Sequence, residues 1–149
     1  MIEPGTKAPD FSLRDQDGSA VSLGDFAGRS LILAFYPADF SPGCTNQLSL
    51  YQEVLDEFEA RGAALVGISV DSAYCHRAFR EQRNLTMPLL ADYHPKGEVS
   101  RAYGAYNDER GHSSRSLVLI DADGIVRWAY ESPPKEVPGA NLIFDALSA

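Results

Sequence analysis

The sequence predicts an α/β fold: a mixed central sheet with helices on both faces, in one domain over residues 1–149. Two observations carry this. Residues 31–36, 64–70 and 117–120 are short, continuous apolar runs, the pattern of strands buried on both sides. Segments with helical spacing alternate with these runs, and such alternation builds a parallel sheet covered by helices.

The elements follow in chain order. Residues 11–13 and 21–23 flank Asp15-Gln16-Asp17-Gly18 and read as a hairpin. The strand at 31–36 ends at Pro37, and a loop runs from there to Gly43. Leu48, Tyr51, Leu55 and Phe58 then recur at helical spacing, with Gln52, Glu53, Asp56, Glu57 and Glu59 on the other side, up to a stop at Gly62. After the strand at 64–70, Asp71 and Ser72 suit the cap of a helix over 73–83. A short strand is expected at 89–91 and a short helix over 95–103, closed by Gly104. The strand at 117–120 turns through Asp121-Ala122-Asp123-Gly124 into a hairpin partner at 125–130, and a last helix covers 140–147. A thioredoxin-like arrangement satisfies this order.

Composition removes several functions. The net charge of −8 repels phosphate backbones and argues against a nucleic-acid partner. No apolar run approaches the ~20 residues that span a bilayer. The first residues have neither a basic start nor an apolar stretch, so a cytoplasmic location is expected, with no membrane association. Two cysteines, Cys44 and Cys75, and three scattered histidines, His76, His94 and His112, lack metal-site spacing, so no metal is expected. There is no Cys-x-x-Cys, which argues against disulfide exchange of the dithiol kind.

Chemistry is expected at Cys44. It stands where a buried strand hands over to a helix, at the carboxyl end of the strand, where open α/β sheets place their sites. In the first turn it meets free N–H groups and the positive end of the helix dipole, which favour a thiolate. Pro37 and Pro42 stiffen the loop, Gly43 allows close backbone approach, and Ser41 adds a hydroxyl. The plainer alternative is a small core cysteine. Arg115 precedes a buried strand and shares a face with Leu117 and Leu119. A guanidinium there needs an acceptor, either an acidic side chain or a thiolate.

Pro37-x-x-x-Ser41-x-x-Cys44, after Ala34-Phe35-Tyr36, resembles the peroxiredoxin active-site motif Pro-x-x-x-Thr/Ser-x-x-Cys. Gly67-Ile68-Ser69-Val70-Asp71-Ser72, Pro88-Leu89-Leu90-Ala91-Asp92, Tyr103-Gly104, and Arg115 ahead of residues 117–121 are similar to family landmarks in the same order. The compact length is closest to the alkyl hydroperoxide reductase E and bacterioferritin-comigratory types. The resemblance implies a thiol-dependent peroxidase, active in antioxidant defence, with no metal, haem or flavin cofactor. Cys44 would be the peroxidatic cysteine. Ser41 would hydrogen-bond the peroxide or the thiolate, Pro37 would shield the sulfur, and Arg115 would stabilise the thiolate and transition state. Gln47 falls where many members carry Glu, keeping a carbonyl acceptor but losing a charge.

The expected partners are a hydroperoxide substrate and an external thiol reductant, either thioredoxin-like or of low molecular weight. A second copy of the chain is a further candidate, contacting through the loop around Asp39-Phe40 and through Tyr74. Cys75 has two readings. As a resolving cysteine it would attack the Cys44 sulfenic acid; as a buried thiol it would share a helical face with Ala78 and Phe79. The expectation that the two cysteine-bearing helices flank opposite faces of the sheet favours the second. A non-peroxidase binding protein of the same fold and a disulfide-exchange reductase are the rival functions.

Overall fold

The computed structural model describes all of residues 1–149. Nine strands and five α-helices follow one another along the chain. They are β1 (Ser12–Arg14), β2 (Ala20–Ser22), β3 (Ser30–Phe35), α1 (Pro42–Glu53), α2 (Leu55–Ala60), β4 (Ala63–Ser69), α3 (Ala73–Arg83) and β5 (Leu89–Ala91). Then come α4 (Glu98–Ala102), β6 (Tyr106–Asn107), β7 (His112–Ser113), β8 (Ser116–Ile120), β9 (Val126–Glu131) and α5 (Ala140–Ser148). Seven strands form one sheet in the order β2-β1-β5-β4-β3-β8-β9. The β3–β4 and β4–β5 pairs are parallel, while β8, β9 and β1 join antiparallel, so the sheet is mixed.

Strands β3 and β8 are interior strands of this sheet, buried on both faces, which is why their sequences are apolar at successive positions. Leu31, Ile32, Leu33, Ala34 and Phe35 are all buried, with alternate residues entering different cores. Burying a large aliphatic or aromatic side chain contributes about 1.5–3 kcal/mol, so this strand is a major source of stability. One core joins the sheet to α1, α2, α3 and α5 through Leu48, Tyr51, Phe58, Phe79 and Ile143. The other joins it to α4 and the N-terminal segment through Val99, Tyr103, Phe11 and Phe26. Helices therefore cover both faces, as expected. No helix is long and apolar enough to cross a membrane.

Three expectations need correction. First, α1 and α3 share a face: Leu48 and Tyr51 of one and Phe79 of the other lie in a single core. The strands step β3, β4, β5 in one direction, and two right-handed crossovers in the same direction land on the same side. Second, the helix expected to run unbroken to Gly62 is interrupted at Val54. The Val54 N–H bonds to Tyr51 and Gln52 instead of continuing the i−4 ladder, yet Leu55 and Phe58 stay buried. Third, the helix expected over 95–103 begins only at Glu98. Gly97 has φ +75°, outside the right-handed helical region. Asp92 caps the shortened helix, accepting from the Val99 and Ser100 N–H groups at 3.0 and 2.8 Å. The β6–β7 hairpin is an additional element, outside the seven-stranded sheet.

Candidate active site

The β3–β8 register sets the geometry. Phe35 pairs with Ser116, so Arg115 stands level with the end of β3, beside the loop that leads to α1. That loop enters the helix through Ser41 at the N-cap and Pro42 in the first turn, where a missing N–H costs nothing. The Thr45 N–H donates to the Ser41 carbonyl at 2.9 Å, closing the first turn around Cys44. Cys44 is fully buried, as Leu48 and Tyr51 on the same helical face require.

The Arg115 Nη2 donates to Cys44 Sγ at 3.6 Å, and Nη1 donates to Gln47 Oε1 at 3.4 Å. Gln47 Nε2 donates to the Tyr51 hydroxyl at 3.1 Å, which donates to the Pro138 carbonyl at 2.8 Å. A run of polar contacts thus anchors the guanidinium from α1 to the segment before α5. Burial pushes the Tyr51 hydroxyl up to about 12, so it remains a donor at neutral pH. Gly43 is required by the same geometry: a β-carbon there would lie 2.9 Å from Arg115 Nη2 and 3.2 Å from Nη1.

The Oγ of Ser41 and Nε of Arg115 are buried and make no hydrogen bond within the protein, as does the Oγ of Ser114. A buried polar group normally finds a partner, and these three residues border one cleft of about 860 Å³, so their free capacity suits a polar ligand. Pro37 and Gly43 also line it, and its far wall comes from the β6–β7 hairpin and the segment after β9. The chain therefore brings Pro37, Ser41, Cys44, Gln47 and Arg115 together at one place. The Tyr51 and Ser114 contributions were missed: Tyr51 reads only as a core position. Asn107 and Gly111, around an acidic and basic tip, are the sequence signal that could have marked the hairpin wall.

Cys75 lies beside Asp39 and Asp71, their side-chain atoms within 4.8 Å of one another. Its N–H donates to the capping Ser72 Oγ at 3.2 Å, and its Sγ lies 4.0 Å from Asp71 Oδ1. Burial, then the negative charges of Asp39 and Asp71, push its thiol up to about 12. Both thiols are free. His94 is exposed, whereas His76 is fully buried with Asp39 as its partner at 2.7 Å, a pairing the sequence did not reveal.

Comparison with known proteins gives the family of the chain. The profile of the AhpC/TSA family matches residues 4–129. The chain is 38% identical to alkyl hydroperoxide reductase E of Mycobacterium tuberculosis, covering all of this chain and 98% of that protein. It is 39% identical to the chloroplastic peroxiredoxin Q of Oryza sativa subsp. japonica, covering 98% of this chain and 68% of that one. Among solved structures, the peroxidoxin BcpB of Mycobacterium tuberculosis superposes with a TM-score of 0.87 at 29% identity, covering 99% of this chain and 96% of the other. The AhpC of Enterococcus faecalis superposes at 0.91 with 26% identity, covering 99% and 92%.

Proposed function

The chain belongs to the AhpC/TSA family of peroxiredoxins and is a thiol-dependent peroxidase that reduces hydroperoxides, and we propose that Cys44 is the thiol that reacts. The observation that carries this reading is the Arg115 guanidinium 3.6 Å from a cysteine sulfur in the first turn of a helix. The thiolate is the nucleophilic form of a cysteine, and Arg115 is a donor already directed at this sulfur.

The Cys44 thiolate attacks the terminal oxygen of ROOH. The S–O bond forms as the O–O bond breaks, sulfur loses two electrons to the peroxide, and the departing alkoxide takes a proton to leave as ROH. Cys44 remains as sulfenic acid. Charge moves from sulfur to the leaving oxygen during this step. Arg115 and the Ser41 hydroxyl are donors already in place for it, with capacity unspent in the resting protein. Pro37 lines the cleft beside them and limits water at the sulfur.

A thiol R′SH then condenses with the sulfenic acid, releasing water and forming a mixed disulfide, and a second R′SH returns Cys44 to the thiol. We assign this role to an external reductant. The shared face of α1 and α3 removes one obstacle to resolution by Cys75, but its thiol, held up to about 12, supplies almost no thiolate at neutral pH. Phe40 and Tyr74, 46% and 88% exposed, remain the proposed contacts of a homodimer in the cytoplasm; light scattering giving a monomer mass would reject that assembly.

The direct test is Cys44→Ser assayed with hydrogen peroxide and dithiothreitol. Only the heteroatom changes, so the fold should persist while turnover disappears. Turnover at the unmodified rate would show that another group reacts.

A further inference from the structure

The loop that carries Pro37 and Ser41 is pinned by polar contacts that the peroxide reaction does not itself use. Asp39 stands in the middle of that loop, and its side chain is fully buried. One carboxylate oxygen accepts from the Tyr36 hydroxyl at 2.5 Å, and the other faces His76 Nδ1 at 2.7 Å. His76 Nε2 faces the Leu90 carbonyl at 3.0 Å, so each ring nitrogen has an oxygen partner. The Asp39 N–H donates to Asp71 Oδ2 at 2.8 Å, and that oxygen also accepts from Ser69 Oγ at 2.6 Å. Burial, and next the Asp39 charge, raise the Tyr36 hydroxyl well above its ordinary range, which keeps it a donor. Through one residue the loop is tied to the ends of β3 and β4, to α3 and to β5.

The next residue shows what the tie holds. Phe40 has φ +67°, a left-handed conformation that a residue with a β-carbon resists. Its ring packs on Phe79 of α3 at 5.1 Å between centroids. Ser41 follows as the N-cap, so the direction in which the chain enters α1 is set between Asp39 and Pro42. Stability alone does not call for this pair, because an apolar pair of similar volume often serves a core as well or better.

We propose that the Asp39–His76 pair is a positioning device that holds Phe40 in its left-handed conformation and thereby fixes Ser41 and Pro37 against Cys44 and Arg115. The proposal rests on the reading that Cys44 is the attacking thiol. Released from the pair, Phe40 would relax toward negative φ and swing the adjacent Ser41 hydroxyl off the peroxide. Cys44 and Arg115 are held by α1, β8 and Gln47 and would stay in place.

The test uses His76→Phe, which keeps ring bulk but removes both polar contacts, and the double variant Asp39→Leu/His76→Phe, which leaves no unpaired buried charge if the single variant fails to fold. Two rates are measured at Cys44 by peptide-resolved mass spectrometry: oxidation by hydrogen peroxide, which needs the loop donors, and alkylation by iodoacetamide, which needs the thiolate but not those donors. Misplacing a reacting geometry by about 1 Å costs ~100-fold, so oxidation should slow by about that factor in both folded variants while alkylation stays within ~3-fold. Oxidation within ~3-fold of the unmodified protein in the folded double variant would overturn the proposal. So would alkylation that falls in step with oxidation, since general loosening of the site would do that. Unmodified protein in which peroxide leaves Cys44 untouched would instead overturn the catalytic reading beneath it.

Discussion

Gly43→Ala separates the geometry of the site from the stability of the fold. Gly43 sits in the first turn of α1 with a negative φ, so its backbone accepts any L residue, and alanine is the better helix former by up to about 1 kcal/mol. The new methyl would lie 2.9, 3.2 and 3.4 Å from Arg115 Nη2, Nη1 and Cζ. Ordinary carbon contacts begin near 3.5 Å, so the guanidinium must withdraw by about half an ångström or more. It is the end of a flexible side chain, and it can do so without disturbing the sheet. Its contact with Cys44 Sγ is already long at 3.6 Å, and its contact with Gln47 is 3.4 Å, so withdrawal loosens both. Between partial displacement and loss of a preorganised donor, the second-order rate with hydrogen peroxide should fall ~10- to 100-fold. The melting temperature should hold or rise. Stopped-flow kinetics and a thermal melt on the same preparation give both numbers. A rate within twofold of the unmodified protein, at equal stability, would show that catalysis does not depend on where Arg115 lies.

Arg115→Ala removes the donor outright and should cost ~100-fold or more in the peroxide rate, read in the same stopped-flow assay; an unchanged rate would leave Arg115 a structural residue. Tyr51→Phe leaves the Pro138 carbonyl and the Gln47 amide short of a partner in a buried site, and should cost about 1–3 kcal/mol in urea unfolding. Cys75 bears on alkaline stability. Its folded thiol is held up to about 12, above the unfolded value of 9.0, so the folded state keeps a proton that the unfolded state releases. Folding is unaffected below pH 9 and weakens as pH climbs from there toward 12. Cys75→Ala should flatten that part of a stability-against-pH curve, although Tyr51 and Tyr103, raised by burial in the same direction, keep some of the slope. An identical slope in the variant would contradict the placement of Cys75.

The site was legible where its residues are neighbours in sequence. Pro37, Ser41, Gly43 and Cys44 lie on one loop and one helix turn, so strand end, turn chemistry and helix start could be read together. Arg115 could be placed only as a cation ahead of a buried strand, because the Phe35–Ser116 register that brings it to the sulfur is a tertiary fact. Tyr51 and Pro138, and Asp39 and His76, meet across 87 and 37 residues of chain, and no local pattern marks such pairs. The interruption at Val54 hid because the apolar spacing continues through it. The late start of α4 was missed because Pro95 suggested a helix start, while the left-handed Gly97 decides the boundary. The opposite-face placement of α1 and α3 failed because it ignored the order β3-β4-β5, which strand patterns do not reveal.

The central claim is that Cys44, and not Cys75, meets the peroxide. It is tested most directly by treating the reduced protein with one equivalent of hydrogen peroxide, trapping sulfenic acid with dimedone, alkylating the remaining thiols under denaturing conditions and mapping both cysteine peptides. Dimedone on Cys44 with Cys75 alkylated as a free thiol is the predicted result. Dimedone on Cys75, or neither cysteine modified while peroxide disappears, would contradict the account.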